Sequence, residues 1–111
     1  MKNNEQLTEA NEQALIEQEI RDGVVTLTRP IKRGEMMIDK VRITEAMSQP
    51  GSLRGLKLFD VVQSDVDSMF KLLPRVTEPQ LTEVDIITMH SYDFGLLVSA
   101  AVSFLAPPSA R

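Results

Sequence analysis

The chain has 111 residues, with 12 Lys and Arg against 16 Asp and Glu, one histidine, no cysteine and no tryptophan. That length supports one hydrophobic core and not two. It leaves no disulfide framework, no thiolate nucleophile and no His-rich metal site, and a net charge of −4 argues against general nucleic-acid binding, which draws on cationic side chains that release phosphate counterions.

The opening Met1-Lys2-Asn3-Asn4-Glu5 leads into no apolar run, and no stretch approaches the ~18 apolar residues that span a bilayer, so neither an export signal nor a membrane anchor is expected. Residues 1–22 hold six acidic and two basic residues, which is the whole net charge of the chain. Their few apolar side chains bury little. This segment reads as an acidic arm, flexible or helical over about Thr8 to Arg21 and solubilising in role. Residues 23–106 form a single domain and 107–111 a C-terminal tail.

Val24 to Ile31 is rich in β-branched residues, with Val25, Leu27 and Ile31 on one period-two face, and reads as a strand. Lys32-Arg33-Gly34-Glu35 supplies a turn, and Met36 to Thr44 returns as a second strand with Val41 and Ile43 on one face. Pro30 points to an edge position, since it cannot donate a ladder hydrogen bond. A hairpin alone is marginal in water and needs helices or a second copy against its apolar face.

Beyond Ser48-Gln49-Pro50-Gly51-Ser52 the period changes to three and four: Leu53, Leu56, Val62, Val66, Met69 and Leu73 predict an amphipathic helical region, bent or broken near Gly55 and ended by Pro74. Arg75 to Gln80 is a connector. Thr82 and Asp85 match a capping box for a short helix through Met89, and Ser91 is a good N-cap for a last helix with Asp93 in its first turn. Phe94 to Leu105 contains no charge. A helix apolar nearly all round is buried on several sides or offers a sticky face, and with so small a body to cover it the second is expected. The fold class predicted is α+β, an N-terminal β-hairpin followed by a small bundle of three or four helices.

No constellation points to catalysis. Asp60, Asp65 and Asp67 lack the glycine turn and terminal glutamate of a cation loop and read as a solvated helix face. His90 has sequence neighbours but no triad setting and reads as a loop or cap residue. Gly51, Gly55 and Lys57 lack P-loop spacing. No enzyme, cofactor or metal is therefore expected. At Leu53-Arg54-Gly55-Leu56 two readings stand: Gly55 permits close approach of another backbone, with Arg54 offering a guanidinium fork, or Gly55 breaks a helix and Arg54 is a surface charge.

The run Ser52-Leu53-Arg54-Gly55-Leu56-Lys57-Leu58, then Asp65-Val66-Asp67, then Leu72-Leu73-Pro74-Arg75-Val76-Thr77-Glu78-Pro79-Gln80-Leu81-Thr82 resembles the tail assembly chaperones of contractile-tailed phages and Mu-like prophages, over about Val24 to Leu105. The family's lead into L-R-G-L is Ala-Gly-Glu-like, where this chain has Pro50-Gly51-Ser52. The resemblance implies a non-enzymatic protein of the bacterial host cytoplasm that binds the tape measure protein and keeps it soluble while the tail tube polymerises around it. It also implies a longer, frameshifted form as a second partner. The rival expectation is a small structural subunit retained in the virion. For the client-facing or self-associating surface of a homo-oligomer, the expected residues are Leu97, Val98, Ala101, Val102 and Phe104 of the last helix, joined by Leu53, Arg54 and Leu56. No nucleic acid or membrane partner is expected.

Overall fold

The structure is a computed structural model that describes residues 2–107, with side chains over 11–107. Helix α1 spans Lys2–Arg21, strand β1 Val24–Arg33, strand β2 Met36–Ile43, helix α2 Leu58–Val62, helix α3 Val66–Val76, strand β3 Thr77–Glu78, helix α4 Glu83–Thr88 and helix α5 Ser91–Ser103. Two short 3₁₀ turns, Glu45–Ser48 and Pro50–Leu53, lead from β2 toward α2. The fold is α+β as expected, with a helix ahead of the hairpin and a third strand behind it.

The hairpin forms where the β-branched residues lie, with Val25 opposite Val41 and Arg33 opposite Met36. Its register shifts between Thr26 and Ile31, so the stretch that contains Pro30 leaves the ladder on an edge strand, where a residue without an N–H disrupts little. Strand β3 pairs antiparallel with β2, Arg42 opposite Glu78 and Ile43 opposite Thr77, giving the order β1-β2-β3. Two residues are too few to carry an alternating pattern, so the sequence reads this strand as connector.

The helical region of the middle is divided. Gly55 has φ +80° with nothing within 4 Å of the position its Cβ would take, so it breaks the chain direction and admits no close neighbour. Ser64 has φ 60°, and Asp65 then caps α3 by accepting from the Ser68 N–H at 3.0 Å. Pro74 lies inside α3 and does not end it. Three residues from the C-terminus, its ring removes only one late helical bond, and burial of Leu72, Leu73 and Val76 holds the turn together. The capping box of α4 is present in both directions, Thr82 Oγ1 accepting from Asp85 N–H at 3.1 Å and the Asp85 carboxylate accepting from Thr82 N–H at 2.9 Å. For α5 the cap is His90 and not Ser91: His90 Nδ1 accepts from the Tyr92 N–H at 3.1 Å, and Ser91 is already helical.

The core collects Val25, Val41 and Ile43 of the sheet, Met69, Leu72, Leu73 and Val76 of α3, Ile86 of α4 and Leu97, Ala100 and Ala101 of α5. Helix α5 lies between this sheet and the rest of the molecule, touching β1, α1 and α3. Among the described residues no helix is long and apolar enough to cross a membrane. The expected tail at 107–111 lies, Pro107 aside, outside the described residues.

Candidate interaction surface

The two motif blocks of the middle and late chain meet in space. Arg75, from the L-P-R segment at the end of α3, donates through Nη1 to the carbonyl oxygens of Ser52 at 3.0 Å and Arg54 at 2.7 Å. The guanidinium therefore supplies donors to carbonyls of the Leu53-Arg54-Gly55-Leu56 turn, which is too irregular to satisfy them itself. Arg54 is exposed, and Leu53 and Leu56 are half-buried against the core. Of the two readings of Arg54, the exposed side chain fits a surface charge, and the guanidinium that serves this turn from within the chain is that of Arg75, whose tertiary partners the sequence does not reveal.

The connector after Arg75 is equally structural. Thr77 Oγ1 donates to the Leu73 carbonyl at 2.9 Å and accepts from the Leu81 N–H at 3.1 Å. Arg33 ties the far end by donating to the Gln80 carbonyl at 2.9 Å and ion-pairing with Asp85. The Glu78-Pro79 peptide is cis. These contacts fold 74–85 back on the body and place α4 beside α3.

The expected sticky helix is covered. Leu97, Val98, Ala101 and Phe104 are buried, and Val102 is half-buried, so α5 offers no continuous apolar face. The exposed residues along it are Ser91, Tyr92, Gly95 and Ser99, one helical stripe of small or amphipathic side chains. Absence of charge had suggested an exposed greasy side, whereas glycine and serine give a helix an uncharged exterior without one. The acidic arm supplies cover as well. Ile16 and Ile20 of α1 line a cleft of about 270 Å³ together with β1 and Leu96 of α5, and the Phe104 ring sits over Gly23 at the α1–β1 junction.

Exposed apolar groups lie elsewhere, chiefly on α2, at the start of α3 and on α4. Only Val61 of α2 is buried, leaving Leu58, Phe59 and Val62 outward, with Phe59 72% exposed. Val66 of α3 and Ile87 of α4, 50% and 52% exposed, line a cleft of about 240 Å³ with Phe94 and Phe70, whose rings stack tilted at 5.5 Å. Val84 is also exposed. The α2–α4 region thus carries the greater part of the large uncovered side chains of the body. In sequence they were indistinguishable from core, because they obey the same three- and four-residue spacing.

Among the described residues no group of three or more His, Cys, Asp or Glu side chains could hold a metal ion. The Asp65 carboxyl is held below the usual carboxylate range, first by the Ser68 backbone N–H and then by the Ser68 hydroxyl, which donates at 2.8 Å, with Lys71 adding a weaker electrostatic pull against a small desolvation cost. Its role is a helix cap.

Comparison with known proteins decides the relationship. The chain is 38% identical over 91 residues to tail assembly protein E of Escherichia phage P2, a match that covers 82% of this chain and 98% of that protein. The chain belongs to this phage tail assembly family. It is also 39% identical over 85 residues to tail assembly protein E' of the same phage, covering 77% of this chain but 58% of E'. No family model and no solved structure matches the chain. The coarse role of the chain is therefore in phage tail assembly.

Proposed function

We propose that this protein is a tail assembly chaperone that binds the tape measure protein in the host cytoplasm, keeps it soluble during tail morphogenesis and is not an enzyme. The observation that carries the reading is the near full-length match to tail assembly protein E. A tape measure is a long helical ruler with apolar stripes, and such stripes aggregate unless covered. The exposed side chains of α2, α3 and α4 are suited to the apolar face of a helix. The acidic arm would keep the assembled complex dispersed. The match to E', of which the matched segment is just over half, supports a second, longer product that shares this domain.

Co-expression with the tape measure protein tests the reading. Wild type should hold the client in the soluble fraction. The double variant Phe59→Ser/Ile87→Ser should lose that activity with unchanged far-UV circular dichroism and melting temperature. Full solubilisation by the variant would remove α2–α4 as the client surface, and failure by the wild type would remove the chaperone role. Mass spectrometry of purified tails addresses the structural-subunit alternative: a chaperone is absent or far below stoichiometric, whereas a virion subunit is present in fixed ratio.

A further inference from the structure

One end of α1 and a groove beside the hairpin are left uncovered by the interactions within one chain. Helix α1 runs for 20 residues, but every side chain from Asn11 to Leu15 is exposed and contact with the body begins at Ile16. A polar helix end of this length is marginal in water without packing. Among the described side chains of α1 the large exposed apolar group is Leu15, 65% exposed, with Glu12 one turn before it on the same face.

The hairpin has the opposite charge. Residues 24–43 contain five cations and two anions, against six anions and two cations in 1–22. Two of those cations are occupied, Arg33 by Asp85 and Arg42 by Glu78, while the side chains of Arg29 and Lys32 have no ion-pair partner among the described residues. Both line a groove of about 260 Å³ whose apolar part is Pro30, Ile31 and Met89 and whose remaining lining is Thr88 and Asp85, the latter neutralised by its ion pair with Arg33. An apolar floor flanked by two free cations matches a helix face that carries Leu15 beside Glu12.

We propose that this groove receives α1 of a second copy of the chain, Leu15 seated on Ile31 and Met89 and Glu12 toward Arg29 and Lys32. Each copy carries both halves of the contact, so the exchange is reciprocal and closes as a two-fold pair. The alternative pairing of α1 with α1 sets two strongly acidic segments against each other and is opposed electrostatically. Exposed ion pairs add little individually; burial of Leu15 holds the pair and the charges select its register. This association is independent of the α2–α4 surface and leaves that surface open.

Sedimentation velocity on the full chain, over a range of protein and salt concentrations, tests it. The expected result is a reversible dimer that weakens as salt rises. Leu15→Ser, Glu12→Arg and Arg29→Glu should each weaken dimerisation by about tenfold or more, with melting temperatures of the dilute monomers unchanged. Glu12→Arg combined with Arg29→Glu should regain most of the lost affinity. A wild type that stays monomeric at all concentrations, single variants that dimerise normally, or an exchange variant no better than the singles would each overturn the proposal.

Discussion

Asp93 is fully buried and its carboxylate accepts three hydrogen bonds, from the Thr28 N–H at 2.9 Å, the Thr28 hydroxyl at 3.0 Å and the Arg29 N–H at 3.2 Å. These donors belong to the stretch of β1 that leaves the ladder, so the side chain replaces sheet hydrogen bonds that the irregular register cannot supply. Asp93→Ala leaves two backbone donors without a partner and should cost about 3 kcal/mol in urea unfolding; a change under about 1 kcal/mol would mean that water takes over the site. Asp65 acts locally and through its charge. Its folded pKa lies below the unfolded one, so its contribution is complete above the unfolded pKa and disappears as pH falls through the folded pKa. The difference in urea midpoint between wild type and Asp65→Ala should therefore be widest at neutral pH and shrink as pH falls below the usual carboxylate range. The capping box of Thr82 and Asp85 was legible because the partners are three residues apart, whereas the cap of α5 was read one residue late, at Ser91 and not His90. The role of Asp93 was only half legible: its place in the first helical turn could be read, but not partners 64 and 65 residues distant.

At the scale of elements, α5 departs most from expectation. Its uncharged sequence is a response to close packing between sheet and helices, where Ala100 and Ala101 let it approach the core without steric conflict. Leu97→Asp places an unpaired charge in that core and should abolish the folded circular dichroism signal, and Leu97→Ala should cost about 2–5 kcal/mol by calorimetry or urea titration. A folded Leu97→Asp variant would show that α5 can be displaced from the body. The junction of α1 and β1 is similarly constrained. Gly23 has φ +79°, its carbonyl accepts from the Ile43 N–H at 2.7 Å, and an added Cβ would stand 2.9 Å from the Phe104 ring. Gly23→Ala should destabilise by at least about 1 kcal/mol from the backbone conformation alone, read as a lower urea midpoint. No increase in stability from the reduced freedom of the unfolded chain is expected at such a position.

For the whole molecule, the motif blocks that carry the family resemblance are scaffold. Arg75 fixes one block to the other, Thr77 and Glu78 add the third strand, and most of the large apolar side chains left outside lie on α2, the start of α3 and α4. The shape follows: a radius of gyration of 15.0 Å exceeds the roughly 13 Å usual for a chain of this length, because α1, which meets the body from Ile16 onward, extends beyond it with its first half. In dilute solution the backbone amides of α1 before Leu15 should exchange hydrogen orders of magnitude faster than those of α3 and α5, whose opening requires the core to unfold. Equal protection along the chain would mean that α1 is part of the cooperative unit.

By itself the sequence determined the class of the protein, the hairpin, the capped short helix and the family. These are set by local spacing, composition and motif, all of which operate within a few residues. Which apolar residues face inward was decided only by tertiary structure. Leu97 and Phe59 have the same hydrophobic character and both sit in helical patterns, yet one is fully buried and the other is 72% exposed. Burial depends on what the rest of the chain brings to that side of the helix, and over α5 that cover came from the sheet and from an arm whose composition had marked it as solvated.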